Sequence, residues 1–146
     1  MGFTTIKFYE SRTGVAALAN VAGLADQHVA VSGDNITVPP TWNQIIAAWG
    51  AMSNATDTLV AARLSAPSMR ERTLLDLANL EAIAAGGTVE PSSPTPINVY
   101  LDNPIQLVSG EMLQYFQQSS GTTAANLCHA VVFLGDGNYT NPYKNL

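Results

Sequence analysis

The segment Leu127–Leu134 constrains the fold most, because seven of its eight residues are apolar and only His129 is not. A strand that is buried on both faces has such a continuous apolar run, whereas a half-exposed strand alternates apolar and polar residues. Gly135–Asn138 follows with the composition of a turn. The sequence therefore predicts a strand at 127–134 that is covered on both of its faces.

Four further segments have the composition of strands, and two of them flank a turn. Thr4–Tyr9 is rich in residues that favour β-structure, and apolar residues alternate with polar ones along Ile97–Leu101. The β-branched runs His28–Val31 and Ile36–Val38 flank the polar, glycine-containing spacer Ser32–Asn35. This arrangement predicts a β-hairpin.

The region after Pro39 and Pro40 has a helical pattern. Proline ends the preceding strand, and Thr41 can serve as the N-cap of a helix. The apolar residues that follow are spaced at i, i+3, i+4, i+7 and i+10, and apolar residues recur up to Leu64: Trp42, Ile45, Ile46, Trp49, Met52, Leu59, Val60 and Leu64. This stripe predicts one principal amphipathic helix at about 41–64. Shorter helices are expected at 15–24, at 68–85 and over two turns after Ser109.

These elements together predict an α+β fold, with an antiparallel sheet and the principal helix at 41–64. A jelly-roll-like β-sandwich with helical insertions is the alternative. A chain of 146 residues is long enough for one core. We therefore expect a single domain over 1–146, crossed at about 88–96 by an extended connector that contains three prolines.

The charge content is low. Only 12% of the residues are charged, the net charge is −5, and neutral polar residues such as Thr and Asn are abundant. Nucleic-acid binding needs clustered Lys and Arg, so direct binding to nucleic acid is not expected. No apolar run approaches the ~20 residues of a membrane span.

No catalytic constellation stands out in the sequence. Cys128 and His129 are neighbours, but adjacent residues on a strand point to opposite faces, so they cannot act as a local nucleophilic pair. A pairing of Cys128 with His28 would require tertiary proximity. The glycines at 135 and 137 begin a dinucleotide fingerprint, but Thr140 stands in place of the third glycine. We expect no cofactor, no metal and no enzymatic activity.

Two groups of residues are candidates for subunit contacts. Both tryptophans, Trp42 and Trp49, lie in the apolar stripe, and three of the six basic residues lie within ten positions at Arg63, Arg70 and Arg72. Tryptophan and arginine are enriched in protein interfaces. The alternatives are a tryptophan core and a solvated arginine stretch that pairs with Glu71 or Asp76.

The chain resembles viral capsid proteins of the phage type. The resemblance lies in Val29–Pro40 leading into the Trp-rich stripe, in Ala66–Arg70 and in Leu101–Leu107. It implies a structural subunit of a capsid, or of a comparable shell or filament, that packs against copies of itself. Other shell proteins would be further partners, and the location would be the virion; otherwise the location would be cytoplasmic or unknown. The alternative is a small-molecule-binding or hydrolytic domain with a site near His28, Cys128 or His129. A third possibility is a secreted appendage component.

Overall fold

A computed structural model of the chain describes residues 2–24, 31–53, 59–69, 75–76, 82–83, 98–99, 103–122 and 125–137. Regular structure among them is β-strand apart from one 3₁₀ turn, Pro67–Met69. The strands are β1 Phe3–Thr13, β2 Ala19–Val21, β3 Gly23–Leu24, β4 Val31–Ser32, β5 Asn35–Thr37, β6 Gln44–Ser53, β7 Leu59–Ser65, β8 Leu75–Asp76, β9 Ala82–Ile83, β10 Asn98–Val99, β11 Ile105–Gln106, β12 Met112–Ser119 and β13 Ala125–Gly135.

The strand pairs are nested along the chain. β1 pairs with β13 at the outside of the nest, β2 and β5 pair with β12, β6 pairs with β10 and β11, and β7 pairs with β8. All of these pairs are antiparallel, so the chain forms one long hairpin. Two additional pairs, β13 with β6 and β12 with β7, roll this hairpin up into two sheets.

The first sheet has the order β10-β6-β13-β1-β3, and the second has the order β4-β5-β12-β7-β8, with β2 also on β12. A rolled-up antiparallel hairpin with this order is a jelly roll, the double-sheet arrangement of two Greek keys. The only parallel pair in the described part is the short contact between β6 and β9.

The core lies between the two sheets. Alternate residues of β1, β13 and β12 point inward and are buried, as the two-residue period of a strand requires. The Phe8 ring of the first sheet meets the Tyr115 ring of the second, with 5.7 Å between the ring centroids. The buried apolar residues of both sheets form one continuous cluster.

The prediction of an α+β fold is wrong. The principal helix expected at 41–64 is instead the strands β6 and β7, with residues 54–58 outside the described part. A register shift opposite Phe133 and Leu134 leaves both Ile45 and Ile46 buried. This bulge interrupts the inward and outward alternation of β6. Trp49 points to the other face of the strand but is also apolar, so the apolar residues of the segment are spaced as they would be on one face of a helix.

The helical insertions of the alternative prediction are also missing from the described part. Residues 15–24 contain β2 and β3, the helix expected after Ser109 is the strand β12, and 68–85 contains β8 and β9 where it is described. The strand at 127–134 is confirmed within β13, which pairs with β1 along one edge and with β6 along the other. Only its inner face packs against the second sheet, and Leu127, His129 and Phe133 on its outer face are half-buried, so the predicted cover on both faces is found on one. The hairpin is confirmed for β4 and β5. The connector at 88–96 lies outside the described residues, and the single domain stays a prediction.

Candidate assembly interface

The outer face of the first sheet carries exposed apolar side chains. On β1 the residues that alternate with buried Ile6 and Phe8 point outward, and the register places Leu24 of β3 beside Lys7 on the same face. Four large apolar side chains in the described part are exposed: Phe3 (61%), Tyr9 (36%), Leu24 (43%) and Val108 (61%). All of these except Val108 lie on the outer face of the first sheet.

Half-buried aromatic and apolar side chains connect these residues into one surface. Tyr9 is directly opposite His129 in the register of β1 and β13, with 6.0 Å between the ring centroids. The His129 ring also contacts Trp49 of β6, at 5.0 Å. Phe3 lies 6.2 Å from Phe133. We define the outer aromatic face as the following residues: Phe3, Tyr9, Leu24, Trp49, His129, Val131 and Phe133.

Few charges accompany the outer aromatic face. Lys7 is exposed at its centre, in register with Val131. Among the described side chains on this face of β1, β3, β6 and β13 there is no carboxylate. Glu10 is on β1 but points to the inner side, where its carboxylate accepts a hydrogen bond from the Ala22 N–H at 3.2 Å.

The environment of His129 favours the neutral imidazole. Its Nδ1 is buried and has no hydrogen-bond partner in the described part of the chain. Burial lowers the pKa of His129, and the positive charge of Lys7 lowers it further. The outer aromatic face is therefore without charge at His129 near neutral pH.

The outer face of the second sheet is more polar, although Met112 and Phe116 of β12 also lie half-buried on it. The side-chain amides of Asn20 and Gln114 both donate to the Oδ1 atom of Asn35, each at 3.1 Å. Farther along β12, the Gln118 amide donates to the Ala16 carbonyl at 3.0 Å. These amide donors all bond to other groups of the same chain, while the Oδ1 atom of Asn20 is buried without a hydrogen-bond partner among the described residues. The two outer faces of the sandwich thus differ in chemistry.

A buried polar cluster lies between the sheets at one end. The Arg12 guanidinium donates to three backbone carbonyls of the second sheet, those of Ala19, Asn20 and Gln117. Its Nη1 is also 3.7 Å from a carboxylate oxygen of Glu10. Because these carbonyls belong to β2 and β12 whereas Arg12 belongs to β1, its side chain ties the two sheets together.

Cys128 belongs to this inner cluster and not to the face of His129. It is buried, and burial raises the pKa of its thiol, while the nearby Arg12 opposes part of that effect. A raised thiol pKa makes the sulfur a poor nucleophile at neutral pH. Since Cys128 points inward and His129 outward, the two do not form a catalytic pair.

Three of the predicted interface residues are described, Trp42, Trp49 and Arg63, and the structure places them on different parts of the surface. Trp49 belongs to the outer aromatic face. Trp42 lies before β6 with its ring against Gly2, where an added Cβ would be 2.9 Å from the Trp42 Cη2 atom. Arg63 lies on the outer face of the second sheet, in register with Phe116. Arg70, Arg72 and His28 lie outside the described residues.

The sequence reasoning missed three exposed members of this face, Phe3, Tyr9 and Leu24. A signal for two of them is present in the sequence, because Phe3, Thr5, Lys7 and Tyr9 are spaced two apart and Phe3 and Tyr9 are large and aromatic. Leu24 could not be assigned to this face, because its position depends on the pairing of β3 with β1.

The described residues show neither a metal site nor a membrane-spanning helix. Among the described residues, no group of three His, Cys, Asp or Glu side chains has the arrangement needed to hold a metal ion. The described part of the chain also contains no helix with the length and apolarity to cross a membrane. No family model, no curated protein and no solved structure matches the chain.

Proposed function

We propose that the chain is a structural subunit of a virus capsid, or of a comparable protein shell or filament, and that it assembles with copies of itself. The observation that carries the proposal is the outer aromatic face. Large contiguous apolar patches are rare on soluble monomers and are typical of protein contacts. Aromatic residues are also enriched at the centres of such contacts.

The jelly-roll topology supports the same proposal. Viral capsid domains use this architecture, but lectins and cupins use it as well, so the topology alone does not decide between them. A lectin or a cupin needs polar or metal-binding groups that converge on a ligand. The outer aromatic face offers apolar surface and one lysine, which suits protein packing better.

Charge favours a second copy as the partner on this face. The chain has a net charge of −5, so two copies repel each other on average. The outer aromatic face has Lys7 and lacks a carboxylate among its described side chains. Two acidic chains therefore approach with least repulsion where at least one of them presents this face.

The remaining parts of the proposal follow from assembly. The partners are copies of the chain and other proteins of the same shell, and where that shell is a capsid the location is the virion. Direct contact with nucleic acid is not part of the proposal, since the net charge of −5 opposes binding to phosphate. The function is structural, without catalysis.

Sedimentation velocity and negative-stain electron microscopy of the purified protein test this proposal. We expect particles, tubes or discrete oligomers, and we expect Leu24→Lys to shift the distribution toward the monomer by adding a charge to the outer aromatic face. Val108→Lys is the matched control, because Val108 is exposed but lies in a loop away from this face. A protein that stays monomeric at high concentration, over a broad range of salt and pH, would contradict the proposal.

A further inference from the structure

His129 is the residue of the outer aromatic face whose charge can change near neutral pH. Its ring lies edge-on to two aromatic rings from the neighbouring strands, those of Tyr9 on β1 and Trp49 on β6. The Nδ1 atom is buried and has no hydrogen-bond partner among the described residues. A proton on this ring would therefore place a charge within the apolar surface itself.

We propose that mild acid opens the contact made by the outer aromatic face, with His129 as the group that senses pH. The inference rests on the proposed function, since it assigns regulation to the same surface. Its basis is the position of His129 within the face, at the junction of β1, β13 and β6.

Among the residues that the structure describes, none that faces His129 offers a counter-charge to a protonated ring. From β1 the ring is faced by Tyr9, with Lys7 on the same side of the sheet; from β6 it is faced by Trp49. Along its own strand, the neighbours of His129 on this face are the apolar residues Leu127 and Val131. The nearest acidic side chain in the register, Glu10, points to the inner side with Cys128. A second positive charge would thus stand beside Lys7 within an apolar contact.

The direction of the pH effect follows from the lowered pKa. Burial of the ring and the positive charge of Lys7 already lower the pKa of His129 in the single chain. A second copy that covers the ring would bury it further and would therefore lower its pKa further. A contact that holds the ring neutral is fully stable above the pKa of His129 in the separated chain, which itself lies below the ordinary value of about 6.5. The contact weakens as the pH falls through the pKa of the separated chain, because that chain then binds the proton more readily, and the effect levels off below the still lower pKa of the ring within the contact.

The size of the effect is set by proton linkage. In the pH range where His129 is protonated in the separated chain but neutral within the contact, each fall of one pH unit lowers the association constant about tenfold per histidine. An assembly contains this contact many times. We therefore expect a sharp loss of large species at a pH below about 6.5.

Sedimentation velocity of the full chain, stepped from about pH 8 to about pH 5, tests the inference. The wild type should lose its large species in the acid half of the range, and His129→Gln, which cannot become charged there, should retain them. His129→Lys, charged throughout, should assemble poorly at every pH. The second histidine supplies the matched control, since His28→Gln should dissociate as the wild type does. Circular dichroism at each pH checks that all variants remain folded.

Each outcome separates the inference from the proposed function. If the wild type assembles and its dissociation constant changes less than about threefold over this range, the pH inference is overturned while the proposed function stands. The same holds if His129→Gln keeps the acid transition of the wild type. If no large species form at any pH, the proposed function itself fails, and the inference fails with it.

Discussion

The hydroxyl oxygen of Tyr115 in the second sheet lies against Gly50 of the first, so closely that a Cβ added to Gly50 would be 2.5 Å from it. The ring carbon that bears the hydroxyl would be 3.1 Å from the same Cβ. Glycine at position 50 therefore allows the two sheets to close on the largest fully buried side chain of the core.

Gly50→Ala should lower the free energy of unfolding by about 1–3 kcal/mol, because the added methyl group overpacks the core. Tyr115→Phe should be close to neutral, since the buried hydroxyl has no hydrogen-bond partner in the described part. The double variant should recover part of the loss, because removing the hydroxyl leaves only the ring in contact with the new methyl group. Urea denaturation of the four proteins measures this coupling, and strictly additive effects would refute the contact.

Arg12 should contribute more to stability than an arginine on the surface of the sandwich. Arg12→Met keeps most of the side-chain stem but leaves the carbonyls of Ala19, Asn20 and Gln117 without the guanidinium donor. The expected loss is about 2–4 kcal/mol. Arg63→Met on the outer face of the second sheet is the control, with an expected loss below about 1 kcal/mol. Equal losses, measured by chemical denaturation, would argue against Arg12 as the link between the sheets.

Cys128 should resist alkylation in the folded protein. Burial keeps the thiol protonated by raising its pKa, and it also blocks access to the sulfur. We expect iodoacetamide at about pH 8 to leave the native chain unmodified and to modify it fully in denaturant, as read by mass spectrometry. Rapid modification of the native chain would place the thiol at the surface.

The same thiol gives an alkaline pH dependence. A raised pKa in the folded state means that the unfolded chain loses its proton first as the pH rises. The contribution of Cys128 to stability is thus complete below the ordinary thiol pKa of about 8.5 and declines above it. Cys128→Ala should therefore show a smaller decline in unfolding free energy at high pH than the wild type.

The strands that could be predicted from the sequence are those in which apolar residues alternate with polar ones or form a continuous apolar run. β13 is buried against the second sheet on its inner face and beside aromatic neighbours on its outer face, which explains its continuous apolar run. β6 could not be predicted, because its outer face is also apolar and a bulge at Ile45 and Ile46 breaks its alternation. When both faces of a strand are apolar and a bulge shifts its register, the two-residue apolar period that distinguishes a strand from a helix is lost from the sequence.

Glu111 shows a different kind of error. An acidic residue after Ser109 and Gly110 predicts the start of a helix, but β12 begins at Met112. The Glu111 carboxylate does accept the hydrogen bonds expected of a capping residue, from the N–H and the hydroxyl of Ser68 at 3.0 and 2.6 Å and from the N–H of Val108 at 2.7 Å. It caps a turn that is 43 residues away in the sequence, and local patterns cannot reveal such a partner.

The sequence predicts what kind of surface the candidate site has, but not where in the fold that surface lies. Low charge and abundant neutral polar residues predict packing against other copies, and this stays a prediction. Trp49, a candidate for subunit contacts, is half-buried, packs against the core and lies on the outer aromatic face. Which surface would carry the contact depends on the pairing of β1, β3, β6 and β13, whose paired residues are up to 132 positions apart in the chain, as Phe3 and Gly135 are. The pairing register of strands so far apart is set by the overall topology, so no local sequence pattern indicates it.

Hydroxyl-radical footprinting, which compares assembled protein with protein dispersed to monomers, tests most directly that copies meet through the outer aromatic face. Assembly should lower the reactivity of Phe3, Tyr9 and Leu24 severalfold, because a second copy covers them. Val108, which is as exposed as Phe3 in the single chain, should react at the same rate in both states. Unchanged reactivity at Phe3, Tyr9 and Leu24, or protection at Val108 alone, would contradict the account.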